Sequence, residues 1–165
     1  MINWNRRWKG DYGMKKSGLT AVLAALALFA AGCGSNTVKE IDAQALADSL
    51  ATEITYDDQL EVMGVELASV YFDLEDDVTT CLYMGSGSTA EEVAVFDTPD
   101  EETARKQMEH VQAYLDDQAE SFRDYIPEET KRVENAVLEQ RGKYVILCVS
   151  GDPDKAEEII EKAFK

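Results

Sequence analysis

The sequence predicts an α+β fold, in which helices pack on a mostly antiparallel four-stranded sheet in the order α-α-β-β-α-β-β-α. Three observations support this prediction. Short runs of β-branched and aromatic residues are typical of strands, stretches with apolar residues every three or four positions are typical of helices, and two of the three prolines stand where helices begin. The elements follow one another without an internal repeat, so a single domain is expected.

Four amphipathic helices are predicted. The first follows a capping box at residues 37–40, and a short second helix is indicated at residues 67–74. The third begins at residues 98–101, where a threonine offers an N-cap, a proline the first helical position and a glutamate the third, and it ends before Pro127. The fourth begins in the same manner at Asp152-Pro153.

Four strands fill the segments between the helices, at residues 78–84, 93–96, 136–140 and 144–149. A glycine- and serine-rich loop at residues 85–88 joins the first pair. A tight hairpin at Arg141-Gly142-Lys143 joins the second pair. The last strand is apolar almost throughout, which predicts a central strand buried on both faces.

The N-terminal segment is typical of a signal peptide. Residues 19–32 carry no charge and follow Lys15 and Lys16. As a helix of 14 residues they would rise about 21 Å, short of the roughly 30 Å hydrocarbon core, which favours a signal-peptide core over a membrane span. Residues 1–13 hold both tryptophans and Asp11, which are unusual in such a segment, so we expect Met14 to be the true start; the alternative is a long n-region.

Residues 29–33 end this segment with Phe-Ala-Ala-Gly-Cys, which resembles a bacterial lipobox. The resemblance implies cleavage between Gly32 and Cys33 and attachment of lipid to the Cys33 thiol. The alternative is an ordinary secretory signal with an incidental cysteine. We therefore expect a signal peptide at residues 1–32, a lipidated cysteine and tether at 33–36, and one α+β domain at 37–165. Lipid chains contribute roughly 0.8 kcal/mol per buried CH₂, so the anchor would hold the domain on the outer face of the cell membrane.

Charge narrows the classes of function. The chain has 16 basic and 33 acidic residues and a net charge of −17. Five of the basic residues but only one of the acidic ones precede Cys33, so the mature domain carries −21. A nucleic-acid binder needs a basic surface that displaces counterions from phosphates, so that class is excluded.

Three stretches of the mature domain are similar to a family of bacterial lipoproteins known as domain of unknown function 4358. They are Tyr83 to Phe96 with its glycine-serine loop, Tyr125-Ile126-Pro127-Glu128-Glu129, and Gly142 to Ser150. The resemblance would span residues 40–164. It implies a surface lipoprotein of Gram-positive type, and it brings no catalytic residue.

Motifs that carry chemistry are incomplete. Acidic doublets occur at about the frequency expected by chance. Asp73, Glu75 and Asp77 have the spacing of the first ligands of a calcium loop, but the required glycine and glutamate are replaced by Val78 and Met84. The loop at residues 85–90 fits a dinucleotide fingerprint, yet Glu91 and Glu92 follow it and lead into a strand. His110 is the single histidine, which favours a helix-surface position over a metal or triad role. We therefore expect no catalytic residue, metal site or cofactor.

Cysteines and tyrosines leave two alternatives open. Cys81 and Cys148 both fall in predicted strands, where they would form a disulfide in an exported protein or remain separate buried thiols; we favour the second. Tyr114 and Tyr125 are candidates to line a ligand cleft, although their spacing does not require it.

Together these features predict a non-enzymatic, lipid-anchored module that binds an envelope protein or a small cationic ligand. Two rivals stay open: a small envelope enzyme that uses carboxylates, which requires acids converging in a pocket, and a purely structural surface lipoprotein, which requires no ligand.

Overall fold

A computed structural model of the chain describes residues 38–165, in which five helices flank one five-stranded sheet. The elements in chain order are α1 (Ala43–Glu53), β1 (Glu61–Met63), α2 (Val65–Phe72), β2 (Thr79–Met84), β3 (Glu92–Asp97), α3 (Glu101–Arg123), α4 (Pro127–Glu134), β4 (Val137–Arg141), β5 (Tyr144–Val149) and α5 (Pro153–Ala163).

All pairs in the sheet are antiparallel, and the strand order is β1-β2-β3-β5-β4. The adjacent strands β3 and β5 are almost entirely buried, because helices cover both faces of the sheet. This confirms the prediction that the last strand lies inside the sheet and is buried on both sides.

Alternate residues of the strands build two hydrophobic cores, one on each face. Val93, Val95 and Ile146 pack with α1 and α5 on the first face. Ala94 and Phe96 face the other way, toward α2, α3 and α4. The result is a three-layer α/β/α arrangement. Both cores belong to one compact unit, Thr37–Lys165.

The mixed α and β character and the antiparallel sheet are as predicted, but the sheet has five strands and not four. The missed strand, β1, is three residues long and lies at the sheet edge, where Glu61 and Val62 are exposed. So short a strand leaves no periodic pattern in the sequence.

Helix α4 is absent from the predicted elements, because Pro127 marks only the end of the preceding helix in the sequence pattern. The proline occupies the first turn of α4, with Glu128 and Glu129 beside it near the positive end of the helix dipole. Helix α3 ends at Arg123, four residues earlier.

Two helix starts differ from prediction, and a third agrees. Helix α1 is capped by Asp42, whose carboxylate accepts the Ala45 N–H at 3.1 Å. Helix α3 is capped by Asp100, whereas Thr98 is buried and bonds the carbonyl of Lys143 across the sheet end. Helix α5 begins as predicted, with Asp152 as its cap and Pro153 in the first turn.

Candidate functional site

A cleft of about 230 Å³ lies beside the β2–β3 connection and combines burial with unusual chemistry. Its walls come from α2, α3 and the loop that joins β2 to β3. The lining residues are Tyr71, Met84, Gly85, Gly87, Thr89, Ala90, Glu91, Glu92, Tyr114, Gln118 and Phe122. The glycine-serine loop is therefore one wall of the cleft.

Glu92 is the central group of this cleft. It is the first residue of β3, and strand alternation puts it on the same face as Ala94 and Phe96, under helix α3. Only 3% of the residue is exposed. Burial raises the pKa of Glu92 to about 8, and the hydrogen bond from Tyr114 opposes this rise. At neutral pH the carboxyl is therefore mostly protonated.

The two oxygens of this carboxyl differ. Oε2 accepts the Tyr114 hydroxyl at 2.8 Å, whereas Oε1 accepts no hydrogen bond within residues 38–165. In that part of the chain, Thr80 Oγ1 is the fully enclosed side-chain oxygen or nitrogen that lacks a partner. Oε1 is thus unpaired without being sealed off, and Glu92 lines the cleft. It is the oxygen left for a ligand.

Tyr114 is fixed from two sides. It projects from the middle of α3 and packs against Phe72 at a ring-centroid distance of 4.6 Å and against Tyr71 at 5.9 Å. Burial, followed by the negative charge of Glu92, raises the pKa of Tyr114 above its ordinary value. The hydroxyl therefore stays protonated and acts as a donor to Glu92.

Arg132 on α4 pairs with acidic residues next to the cleft, one of which, Glu91, lines it. Its guanidinium bonds both oxygens of Glu129 at 2.9 Å, bonds Asp57, and lies 3.4 Å from Glu91. Burial works to lower the pKa of Arg132, but the hydrogen bond to Asp57 and the charges of Glu91 and Glu129 raise it overall. This cation is paired with three carboxylates.

Two of those carboxylates also accept hydrogen bonds from backbone N–H groups in and near the loop. Glu91 accepts the N–H groups of Asp57 and Asp58 at 3.0 and 2.9 Å, and Glu129 accepts the Ala90 N–H at 2.8 Å. Charge-assisted hydrogen bonds of this kind are among the stronger ones in proteins. The segment before β1, the loop and α4 are therefore linked into one support for the cleft.

Acidic residues also organise the loop itself. Asp58 accepts both the N–H and the hydroxyl of Ser86, each at 2.6 Å, and these bonds lower the pKa of Asp58. A Cβ at Gly85 would approach Asp58 Oδ2 to 2.9 Å, so any other residue there would displace this carboxylate. Anionic groups surround this loop and a strand follows it, which agrees with a strand connection and disfavours a phosphate site.

Other sequence-predicted positions lie away from the cleft. His110 on α3 sits between Asp73 and Glu75, with nitrogen–oxygen distances of 3.5 and 3.3 Å. Within residues 38–165, no group of three or more His, Cys, Asp or Glu side chains is placed to hold a metal ion. Of the two tyrosines proposed for a cleft, Tyr114 lines it, whereas Tyr125 is 86% exposed and does not.

Cys81 and Cys148 are both free thiols. Cys81 lies on β2 and Cys148 on β5, with β3 between them. Strands two positions apart are separated by about 10 Å, beyond the roughly 7 Å that a disulfide spans between Cα atoms. This is the arrangement of the separate-thiol alternative.

A larger groove of about 410 Å³ lies between α1 and α5. Its charged lining residues, such as Lys39, Glu53 and Lys162, are exposed to solvent. No buried ionisable group of the described part lines it, so the Glu92 cleft has the more specific chemistry.

Sequence reasoning missed Glu92 and Arg132. The available signal for Glu92 was an acidic residue directly preceding the apolar run Val93 to Phe96. The contact with Tyr114 could not be anticipated, because it depends on how α3 crosses the sheet.

Gly32 and Cys33, the predicted cleavage and lipidation positions, lie outside the described residues, as does Met14. Within residues 38–165, no helix has the length and apolar character needed to cross a membrane.

A family model described as "Domain of unknown function (DUF4358)" matches residues 53–150. The match runs from the end of α1 to just beyond β5, and it includes Arg132 and every residue that lines the cleft. No curated protein and no solved structure matches the chain.

Proposed function

We propose that this chain, which belongs to the DUF4358 family, is a lipid-anchored extracytoplasmic domain that binds a small ligand in the cleft at Glu92. The anchor is lipid on Cys33, and the domain stands on the outer face of the cell membrane. Binding, and not catalysis, is its role.

The observation that supports ligand binding is the unpaired Oε1 of a buried carboxyl. Burying an ionisable group without full hydrogen bonding costs stability, and such groups concentrate at functional sites. Glu92 meets this description, because its pKa is raised to about 8 and one oxygen lacks a donor within the described residues.

The neighbouring side chains make catalysis the weaker alternative. A carboxylate enzyme needs a second free acid, or a nucleophile, close to the first. The raised pKa of Glu92 would suit a general acid, but the adjacent Glu91 is bound to Asp57 N–H, Asp58 N–H and Arg132. One free carboxyl favours recognition over acid–base chemistry.

A thermal-shift screen of residues 34–165 tests ligand binding. The panel contains amines, polyamines, divalent ions, neutral sugars, short peptides and cell-wall fragments. A ligand at 100 times its dissociation constant stabilises the domain by about 2.7 kcal/mol. The proposal expects a shift that Glu92→Gln removes and that the matched, exposed Glu157→Gln on α5 retains.

Absence of any Glu92-dependent shift would contradict ligand binding at this cleft and favour the structural rival. A thermal shift that both variants retain would show that the ligand binds at a site other than the Glu92 cleft.

Membrane attachment has its own test. Replacing Cys33 by serine should release the protein from the membrane fraction and remove the lipid mass. If the Cys33→Ser protein stays in the membrane with unchanged mass, the anchor is wrong, whatever the screen shows.

A further inference from the structure

Three of the residues that line the cleft are aromatic. Tyr71, Tyr114 and Phe122 line it, and the Tyr71 and Tyr114 rings meet edge to face at 5.9 Å. The faces of aromatic rings carry partial negative charge and attract cations. An aromatic lining therefore suits a positively charged ligand better than a negatively charged one.

The charged residues of the cleft point to the same conclusion. Within the described residues, Glu91 and Glu92 are its only acidic lining residues, and no Lys, Arg or His lines it. Arg132, which belongs to the support of the cleft, is bound to Asp57, Glu91 and Glu129. An anionic ligand would therefore meet no free cation, whereas a cation would meet a carboxyl.

The hydrogen-bonding state of Glu92 narrows the ligand further. Tyr114 already donates to Oε2, so in the ionised carboxylate Oε1 is an acceptor that lacks a donor. A primary ammonium ion brings N–H donors as well as positive charge, and charge-assisted hydrogen bonds are stronger than neutral ones.

We propose that the cleft binds a small primary ammonium ion, whose N–H donates to Glu92 Oε1 while Tyr71, Tyr114 and Phe122 surround the charge. This inference rests on the proposed function and specifies its ligand class. A volume of about 230 Å³ suits an amine with a short alkyl chain.

Binding is coupled to a proton. Glu92 is protonated in the free domain at neutral pH, so the ammonium ion displaces its proton to solvent and pairs with the carboxylate. The titratable and charged groups around Glu92 are Glu91 on the loop, Tyr71 on α2, Tyr114 on α3, Glu129 and Arg132 on α4, and Cys148 on β5. Glu91 and Glu129 are paired with Arg132, which leaves Glu92 as the group that changes charge.

Isothermal titration of residues 34–165 with n-butylammonium, n-butanol and n-butyrate tests the inference, because these probes share a chain and differ in charge. We expect n-butylammonium to bind at least tenfold more tightly than either of the others. Its association constant should rise about tenfold per pH unit between pH 6 and 7, where Glu92 must lose a proton to bind it. Titrations in two buffers of different ionisation enthalpy should show proton release.

Two variants locate the site. Glu92→Gln should weaken n-butylammonium binding at least tenfold at pH 8, whereas Glu157→Gln, which removes the same charge from an exposed position on α5, should leave it unchanged. Glutamine imitates the protonated carboxyl, so the first variant is expected to fold.

Equal binding of n-butanol, preference for n-butyrate, absence of n-butylammonium binding, or full binding by Glu92→Gln would each overturn the inference. A neutral or anionic compound that binds in a Glu92-dependent way would overturn only the ligand class and leave the proposed function standing. If no compound binds in either this titration or the thermal-shift panel, both the ammonium inference and the proposed ligand-binding function are wrong.

Discussion

The Tyr114 hydroxyl donates a hydrogen bond of 2.8 Å to Glu92, joining the middle of helix α3 to the first residue of strand β3. Glu92 is nearly inaccessible, and burial raises its pKa to about 8. A carboxyl in this position costs stability when it ionises. That cost makes the pair measurable in the absence of any ligand.

The pH dependence of stability should show this cost. The pKa of Glu92 is raised in the folded state, so between its unfolded value near 4.5 and about 8 the folded protein holds a proton that the unfolded chain lacks. Its contribution to the free energy of unfolding is therefore present at low pH, falls as pH rises through that window, and is constant above it.

Comparing Glu92→Gln with the unmodified domain isolates this contribution, because all other titrating groups cancel. We expect denaturant unfolding from pH 4 to 9 to show that the free energy of unfolding of the variant rises relative to that of the wild type as pH rises to about 8. The slope should be roughly 1.4 kcal/mol per pH unit, which amounts to several kcal/mol in total. A constant difference across this range would show that Glu92 has an ordinary pKa.

Tyr114→Phe should destabilise the domain more at high pH than at low pH. The variant removes the donor to Oε2, and hydrogen bonds to charged groups contribute more than those to neutral groups. We expect a loss of about 1 kcal/mol at pH 6 and about 2–3 kcal/mol at pH 9, measured by urea unfolding. Equal losses at the two pH values would contradict a hydrogen bond from Tyr114 that strengthens when Glu92 ionises.

Arg132→Met should be strongly destabilising. The side chains of Glu91 and Glu129 are 1% and 7% exposed, so removing the guanidinium leaves two buried carboxylates without their cation. Breaking a buried ion pair from one side costs about 3–5 kcal/mol. The neighbouring Lys131 is exposed, and Lys131→Met should change the free energy of unfolding by less than about 0.5 kcal/mol. Similar losses in both variants would contradict the role given to Arg132.

Thiol counting should find two free cysteines in denatured, unreduced protein of residues 34–165, since β3 separates Cys81 from Cys148. In the folded domain Cys81 should react first. Burial raises the pKa of both thiols, but Cys148 is buried and Cys81 only partly so. A count of zero would require a disulfide and a different strand arrangement.

The sequence predicted those elements whose signals are local. Asp152-Pro153 marks the start of α5, and Gly142, at a φ of +59°, marks the turn between β4 and β5. Strand β1 was not predicted, because three residues at a sheet edge are too few to show a hydrophobic periodicity. Helix α4 escaped although its signal was present, because a proline both ends and begins helices.

The site was less accessible than the fold. Glu92 looks like one half of an ordinary acidic doublet, and nothing local separates it from Glu91. What separates them is tertiary structure: Arg132 and two backbone N–H groups hold Glu91, whereas Glu92 lies under α3 with Tyr114 as its donor. Tyr114 was a candidate cleft residue from sequence, but its partner becomes evident only when β3 and α3 are packed together.

Carbon-detected NMR titration of the glutamate side-chain carboxyls tests the central claim most directly, because it reports the ionisation of Glu92 without a ligand. Glu92→Gln assigns the signal by removing it. The structure predicts that the Glu92 carboxyl titrates near pH 8 and is mostly neutral at pH 7. Titration below about pH 5, with the ordinary pKa of an exposed glutamate, would contradict the claim that the cleft contains a buried, neutral carboxyl.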